Sequence, residues 1–333
     1  MRALLSQQPG DPSSLKIGIL PDPVPGAGEV VVQVRACSVN FPDSLIIEDK
    51  YQYKPQRPFA PGAEIAGTII AIGPDVSGFS IGDRVMAMCG WGGMAEQVAI
   101  AAELCHPIPP EMPFEDGAAF LMTFGTVYHG LKQRGNIQPD EKLLVLGASG
   151  GVGLAAVALG RAMGATVIAA ASDQAKLDVA LAEGAHSGFL YPAGDAGGDQ
   201  KVLNALVKGH AGKVDMVFDP VGGPFSEAAV RSLAWKGRYL IVGFPAGIAR
   251  LPLNLLLLKG ASAVGVFYGD FAEREKELNR QNNRELIDLY RAGKIRPVIS
   301  RLFPLEEGAE AIWELSSRRA IGKLVVTMEA PDA

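Results

Sequence analysis

Cysteine is scarce in this chain: Cys37, Cys89 and Cys105 are the only three among 333 residues. They lie 52 and 16 residues apart, too few and too scattered for a disulfide framework, and an odd count fits a reducing compartment. Histidine is equally sparse. His106, His129, His186 and His210 show no ligand spacing among themselves. No apolar run approaches the roughly 20 residues of a membrane-spanning helix. Met1–Gly10 holds one Arg and no apolar core, so the reading expects no secretory leader and a cytoplasmic protein. A basic surplus is also missing. The net charge of −5 leaves no electrostatic footprint for nucleic acid, and no Lys/Arg cluster suggests a membrane surface. These absences leave small-molecule chemistry in a chain whose 48% hydrophobic content can fill two cores.

Forty glycines and 23 prolines punctuate the chain unevenly. Up to about residue 110, short apolar runs (30–34, 67–73, 84–88, 95–99) alternate with Pro-Gly, Pro-Asp and Gly-Asp turns, which predicts an all-β module. Gly82-Asp83-Arg84-Val85 reads as a hairpin with no chemistry. Apolar residues at helical spacing then predict a helix over 118–133. From Lys142 onward, strands near 143–146, 166–170, 188–190, 216–218, 238–242 and 262–266 alternate with helical stretches. That is the mark of a doubly wound parallel sheet. A charged helix over about 271–291, a strand at 298–303, a helix at 305–316 and a last strand at 323–328 do not extend this series, and could fold back onto the first module.

The chemistry sits on one turn. Leu143-Leu144-Val145-Leu146 runs into Gly147-Ala148-Ser149-Gly150-Gly151-Val152-Gly153, followed by a helical stretch and a second strand. In this context Gly150 lets backbone approach a pyrophosphate, Gly153 lets the helix pack on the strand, and the helix N-terminus offers N–H groups to the anion. Ser149, Gly150, Gly151, Val152 and Gly153 are the cofactor-binding candidates here. The fingerprint has one departure: its first glycine position falls on Ala148. The second strand ends in Ala170-Ala171-Ser172-Asp173-Gln174-Ala175-Lys176, with Ala171 where an NAD enzyme carries an acid. Ser172 and Lys176 instead suit a 2′-phosphate, which points to NADPH. Asp173 is either a helix N-cap or a shifted ribose ligand.

These segments, with Ser38-Val39-Asn40-Phe41-Pro42-Asp43, Pro61-Gly62-Ala63-Glu64-Ile65-Ala66-Gly67, Gly82-Asp83-Arg84-Val85 and Ser317-Arg318-Arg319-Ala320-Ile321-Gly322-Lys323, resemble the medium-chain dehydrogenase/reductase superfamily, in its zinc-independent quinone oxidoreductase (zeta-crystallin-like) branch. The resemblance implies an α/β protein with a GroES-like β-barrel catalytic domain (1–122 and 268–333) and a doubly wound Rossmann dinucleotide-binding domain (123–267). It implies that Asn40 and Ala63 stand where zinc-dependent relatives place Cys and His ligands, so that no metal is used. It places Asn40 and Tyr51 in the nicotinamide and substrate pocket as candidate catalytic residues. Ser172, Lys176, Tyr191 and Arg318 fall around the adenosine phosphate, and Gly243, Phe244 and Phe267 at strand ends near the cofactor. Plainer readings stand beside these: a turn at Asn40, loop aromatics at Tyr51 and Tyr53, core phenylalanines at 244 and 267, and Arg319 as a rival to Arg318. The expected activity is NADPH-dependent reduction of a quinone or related enone. An enoyl-thioester reductase with Tyr51 as acid, or a non-catalytic NADPH-binding protein, are the alternatives. A homodimer paired along an exposed edge strand at 261–267 is the expected assembly.

Overall fold

A computed structural model describes residues 1–192 and 199–328. In chain order the strands are β1 (Arg2–Leu5), β2 (Lys16–Ile19), β3 (Glu29–Ser38), β4 (Glu64–Ile72), β5 (Arg84–Met88), β6 (Gln97–Ala101), β7 (Cys105–Pro107), β8 (Lys142–Val145), β9 (Thr166–Ala171), β10 (Ser187–Leu190), β11 (Val214–Asp219), β12 (Leu233–Ile241), β13 (Ser262–Gly265), β14 (Ile299–Pro304) and β15 (Lys323–Thr327). The chain divides into two compact units, Met1–Met122 with Pro297–Ala333, and Thr123–Arg296.

The first unit is GroES-like. Its main sheet runs β14-β15-β3-β4-β5-β7, while β1 and β2 form a separate antiparallel pair. β3 is ten residues long, enough to carry two different neighbours along one edge. Residues 29–33 pair with β6, and residues 36–38 pair with β15. Val30, Val32, Val34, Ile65, Ile69, Val85 and Phe303 fill the core with apolar, mostly β-branched side chains. The 82–85 segment is the turn into β5: Gly82 adopts φ +97°, and the Asp83 carboxylate accepts the Ser80 N–H at 2.8 Å.

The second unit is the doubly wound domain. Six parallel strands lie in the order β10-β9-β8-β11-β12-β13, which is 3-2-1-4-5-6 counted within the unit. The order reverses between β8 and β11, where such sheets hold ligands beyond the strand ends. Leu144, Ile168, Val217 and Tyr239 belong to its core.

Two expectations change. The helix expected over 118–133 is a composite: Phe114–Ala118, then π-helical turns at Leu121–Gly125 and His129–Arg134 around Thr126–Tyr128. Residues 268–296, expected with the first module, pack with the second. They form two helices, Tyr268–Arg274 and Lys276–Arg291, rather than one. The reason is side-chain chemistry that linear order hides. The Tyr268 ring lies over Gly125, where any Cβ would collide with it. Glu285 accepts hydrogen bonds from Tyr128 and Lys132, and Asn282 exchanges two amide bonds with Gln133 at 2.9 and 3.2 Å. The expected C-terminal limit at 333 lies outside the described residues.

Candidate functional site

The glycine turn lies at the switch point of the second unit. Leu146 continues β8 by donating to Phe218 O at 3.0 Å, and Gly147 then turns the chain at φ +59°. A Cβ on Gly147 would lie 2.6 Å from the Val221 side chain, so both the backbone angle and the space call for glycine. The departure at Ala148 is thereby explained. The tight turn is made one residue early, and Ala148 is fully buried, with its N–H on Ala170 O at 3.0 Å. Gly150 precedes the helix Gly151–Ala162 as N-cap at φ −76° and ψ 165°. A Cβ there would meet nothing nearer than Gly147 O at 3.7 Å, so the outer side of this residue is open. Gly153 is the opposite case: a Cβ would overlap Gly147 O and come within 2.9 Å of the Ala148 backbone. Ser149 is buried beside the turn, and Gly151, Val152 and Gly153 form the first helical turn, whose N–H groups have no acceptor within the helix. Free N–H groups at a helix N-terminus, beside a residue with open space, suit an anion.

At the end of β9, Ala171 is buried, and Asp173 caps the helix Gln174–Ala182 by accepting the Lys176 N–H at 3.0 Å. That backbone bond comes first in holding the Asp173 carboxyl below its ordinary range, with Ser172 and Lys176 adding to it. Lys176 Nζ lies 3.2 Å from Ser172 Oγ and 3.6 Å from Asp173 Oδ2, so hydroxyl and ammonium share one rim. Tyr191 aims elsewhere. Its backbone N–H continues the pairing to Ala171 O at 2.8 Å, but its hydroxyl accepts the Gly147 N–H. Its ring packs on Phe225 at 4.4 Å, and burial pushes its phenol well up.

Across the switch point, β11 ends on a residue that the sequence reading passed over. Asp219 is buried, and its carboxylate accepts Val221 N–H and Gly222 N–H at 2.8 Å each, Ser226 Oγ–H at 2.8 Å, and the Tyr239 hydroxyl. These four bonds shape the 220–223 turn that presses Val221 against Gly147. Gly243 donates to Asp219 O at 3.4 Å. Phe244 and Phe267 are 48% and 51% exposed, which rules out the plain-core reading of both.

In the first unit, three of the quoted segments meet at one buried polar cluster. Register alone places Ser38 opposite Glu64 and opposite Val325, two residues beyond Lys323. Glu64 is fully buried. One of its oxygens accepts Ser38 Oγ–H at 2.7 Å, and the other accepts the Met122 N–H at 2.8 Å. Lys323 Nζ donates to Asn40 Oδ1 at 2.6 Å and Val39 O at 3.1 Å, and lies 3.8 Å from Glu64. Asn40 Nδ2 donates to Ser38 Oγ at 3.1 Å and reaches Glu64 Oε2 at 3.4 Å, so this amide faces the interior. Asp43 accepts Asn40 N–H at 2.7 Å and Gly62 N–H at 3.1 Å. Burial first, and Glu64 last, push its carboxyl up to about 6 against those bonds and the Lys323 charge. Lys323 itself is lowered by burial.

Tyr51 is half-buried, with its ring 5.8 Å from Tyr53. Burial, then Tyr53 and Asp43, push its phenol up, and its hydroxyl makes no hydrogen bond among the described residues. Arg318 is exposed at φ +61° just past the helix Gly308–Ser316, while Arg319 stacks on Trp313 at 4.7 Å. Asn40, Tyr51 and Arg318 thus belong to the first unit and the remaining candidates to the second. Ser38, Asp43, Glu64, Asp219 and Lys323 are the residues the sequence reading missed. Four of the five stood inside segments quoted for the resemblance, which was the available signal.

Sheet order, switch-point glycines and a GroES-like companion unit define the class as a two-domain dehydrogenase or reductase. The family models concur: "Alcohol dehydrogenase GroES-like domain" matches residues 26–110 and "Zinc-binding dehydrogenase" matches residues 151–283. The quinone oxidoreductase-like protein 2 of Bos taurus is 35% identical over 303 residues, 90% of this chain and 85% of the relative. A probable oxidoreductase of Mycobacterium abscessus superposes with a TM-score of 0.86 at 34% identity, covering 98% of both chains. The quinone oxidoreductase of Thermus thermophilus, also solved in complex with NADPH, gives 0.83 at 32% identity, covering 98% of this chain and 100% of that one. The chain is a medium-chain dehydrogenase/reductase of the quinone oxidoreductase-like branch. Among the described residues no three His, Cys, Asp or Glu are grouped to hold a metal ion, and the Lys323 ammonium lies beside Asn40 and Glu64.

Proposed function

We propose that the chain is an NADPH-dependent, zinc-independent reductase that delivers hydride to a quinone or a related electron-poor enone. The observation that carries this is the pairing of an anion cradle at Gly150–Gly153 with a β9 end that offers Ser172 and Lys176 where an acid would select NADH. The relative from Thermus thermophilus, solved with NADPH, supports the same reading.

When bound, the cofactor supplies the hydride. Gly150 admits the pyrophosphate, and the N–H groups of Gly151, Val152 and Gly153 hold it, with Ser149 beside them. Ser172 and Lys176 would take the 2′-phosphate. Tyr191 braces the glycine turn through Gly147, and Gly243, Phe244 and Phe267 line the nicotinamide end. Tyr51, whose hydroxyl makes no hydrogen bond among the described residues, would line the substrate side as the available donor, one on which quinone reduction does not depend. Asn40 is assigned a different task from the one expected, because its amide protons are spent on Ser38 and Glu64. It is a strut of the site rather than a donor to substrate. Quinone reduction asks little more, since the product oxyanions take protons from solvent.

The free Tyr51 hydroxyl also favours a second reading, an enoyl-thioester reductase in which it is the proton donor. Tyr51→Phe separates the two: a collapse of enoyl-CoA turnover with quinone reduction intact favours the second reading, and a wild type that reduces quinones but no enoyl-CoA, with a Tyr51→Phe variant within about threefold of it, favours the first. The exposed edge strand β13, with Leu253, Leu257 and Leu258 at 75%, 80% and 72% exposure nearby in sequence, supports a homodimer paired along that edge. Light scattering then reads twice 35.0 kDa, and a monomer mass excludes it. Three free thiols fit a reducing cytoplasm. No helix among the described residues is long and apolar enough to cross a membrane.

A further inference from the structure

A β-sheet core gains little by burying an ion pair, and replacing such pairs with apolar side chains is often neutral or stabilising. The first unit nevertheless buries Lys323, Glu64, Asp43, Asn40 and Ser38 together, with Lys323 at 5% exposure and Glu64 at 0%. The ammonium donates to Val39 O and Asn40 Oδ1, and the Glu64 carboxylate balances its charge from 3.8 Å. The bonds have a direction. Lys323 holds Asn40, the Asn40 N–H holds Asp43, and Asp43 holds the Gly62 N–H, on a glycine at φ +99° where a Cβ would meet Cys37 Sγ at 2.6 Å. Burial first, Tyr53 next and the charge of the same Asp43 last push the Tyr51 phenol up.

We propose that Lys323, clamped by Glu64, is a positioning residue of the substrate-side site: a built-in cation that takes the place of a metal and fixes Asn40, Asp43 and the Gly62 turn as one rigid floor. It touches no substrate and acts through the groups it orients. The proposal rests on the reductase reading above. The charged and titratable groups that face Asp43 are Lys323, Glu64, Cys37, Cys89 and Tyr51, and the ammonium alone among them holds its proton affinity down. Protonated Asp43 accepts the Asn40 and Gly62 N–H groups poorly, so kcat should fall on the acid side of pH 6 in the native enzyme.

The test compares the wild type with the charge-neutral double variant Lys323→Met/Glu64→Gln, which removes the pair without stranding either charge. NADPH affinity, kcat against a quinone, and the pH profile of kcat are read on protein whose melting temperature is measured alongside. The expected result is unchanged NADPH affinity, kcat at least about tenfold lower, and an acid limb about one pH unit higher. A folded double variant with native kcat and an unshifted limb overturns the proposal and leaves the reductase reading intact. A wild type that turns over no quinone or enone overturns the reductase reading and takes this one with it. If the double variant fails to fold, Ser38→Ala weakens the clamp and keeps the ion pair. About threefold lower kcat is expected there, and native kcat overturns the proposal.

Discussion

Gly150 and Gly153 lie three residues apart on the same turn, and the structure assigns them opposite sensitivities. At Gly150 the backbone angles suit alanine, and the nearest atom to a new Cβ is 3.7 Å away, ordinary van der Waals contact. Gly150→Ala therefore costs the fold no more than the weaker N-cap, about 1 kcal/mol or a few degrees of melting temperature. The methyl instead fills the open side through which a phosphate would reach the helix N-terminus. Losing one or two charge-assisted hydrogen bonds at about 1.5 kcal/mol each weakens NADPH binding roughly 10- to 150-fold. At Gly153 the new Cβ overlaps Gly147 O and presses on Ala148, so the helix must move off β8 before any ligand arrives. Overpacking of this kind costs about 1–3 kcal/mol, and the displaced helix also binds cofactor poorly. Thermal melts with fluorescence titration of NADPH separate the two effects. Native affinity in Gly150→Ala, or a native melting temperature in Gly153→Ala, would refute the assignment.

Lys176→Ala should weaken NADPH about tenfold or more and leave NADH within about twofold, since only the 2′-phosphate distinguishes them; isothermal titration at two salt concentrations checks this, and equal losses for both cofactors count against the assignment. Asp43 should leave a pH signature on stability. Its folded carboxyl titrates at about 6 against an ordinary 3.8, so its contribution is fully present below about pH 4 and is lost as pH rises through 6. The change is worth roughly 3 kcal/mol, and the wild type should lose that much relative to Asp43→Asn between pH 4 and pH 7 in urea unfolding; parallel curves for the two proteins would mean Asp43 is not held as described.

The second unit was legible because its signals are local. Apolar β runs, a glycine turn and alternating helices each declare themselves within about 30 residues, and the six strands fall close to their expected places. The cofactor-side candidates are local in the same sense, being the residues that follow each strand. Tyr191 shows the limit of this, since its side chain turned toward Gly147 rather than toward Ser172 and Lys176. The Lys323–Glu64–Asn40 cluster was not legible, because its members are 24 to 283 positions apart and meet only through the register of β15, β3 and β4. Each also has an innocent local reading: a strand-end lysine, a glutamate between apolar residues, an asparagine before a proline-containing turn. Helix Lys276–Arg291 misled for a related reason. Its charged sequence does not extend the parallel series and is expected with the first module, yet Asn282 and Asn283 are buried, and Asn282 bonds Gln133 of the second unit.

The most direct test of the account is NADPH oxidation at 340 nm by chelator-dialysed protein, against a panel of quinones and enones, repeated with NADH and with added zinc. The expected result is quinone- or enone-dependent turnover that prefers NADPH, survives chelation and gains nothing from zinc. Turnover that needs zinc, or NADPH binding without any hydride acceptor, would contradict it.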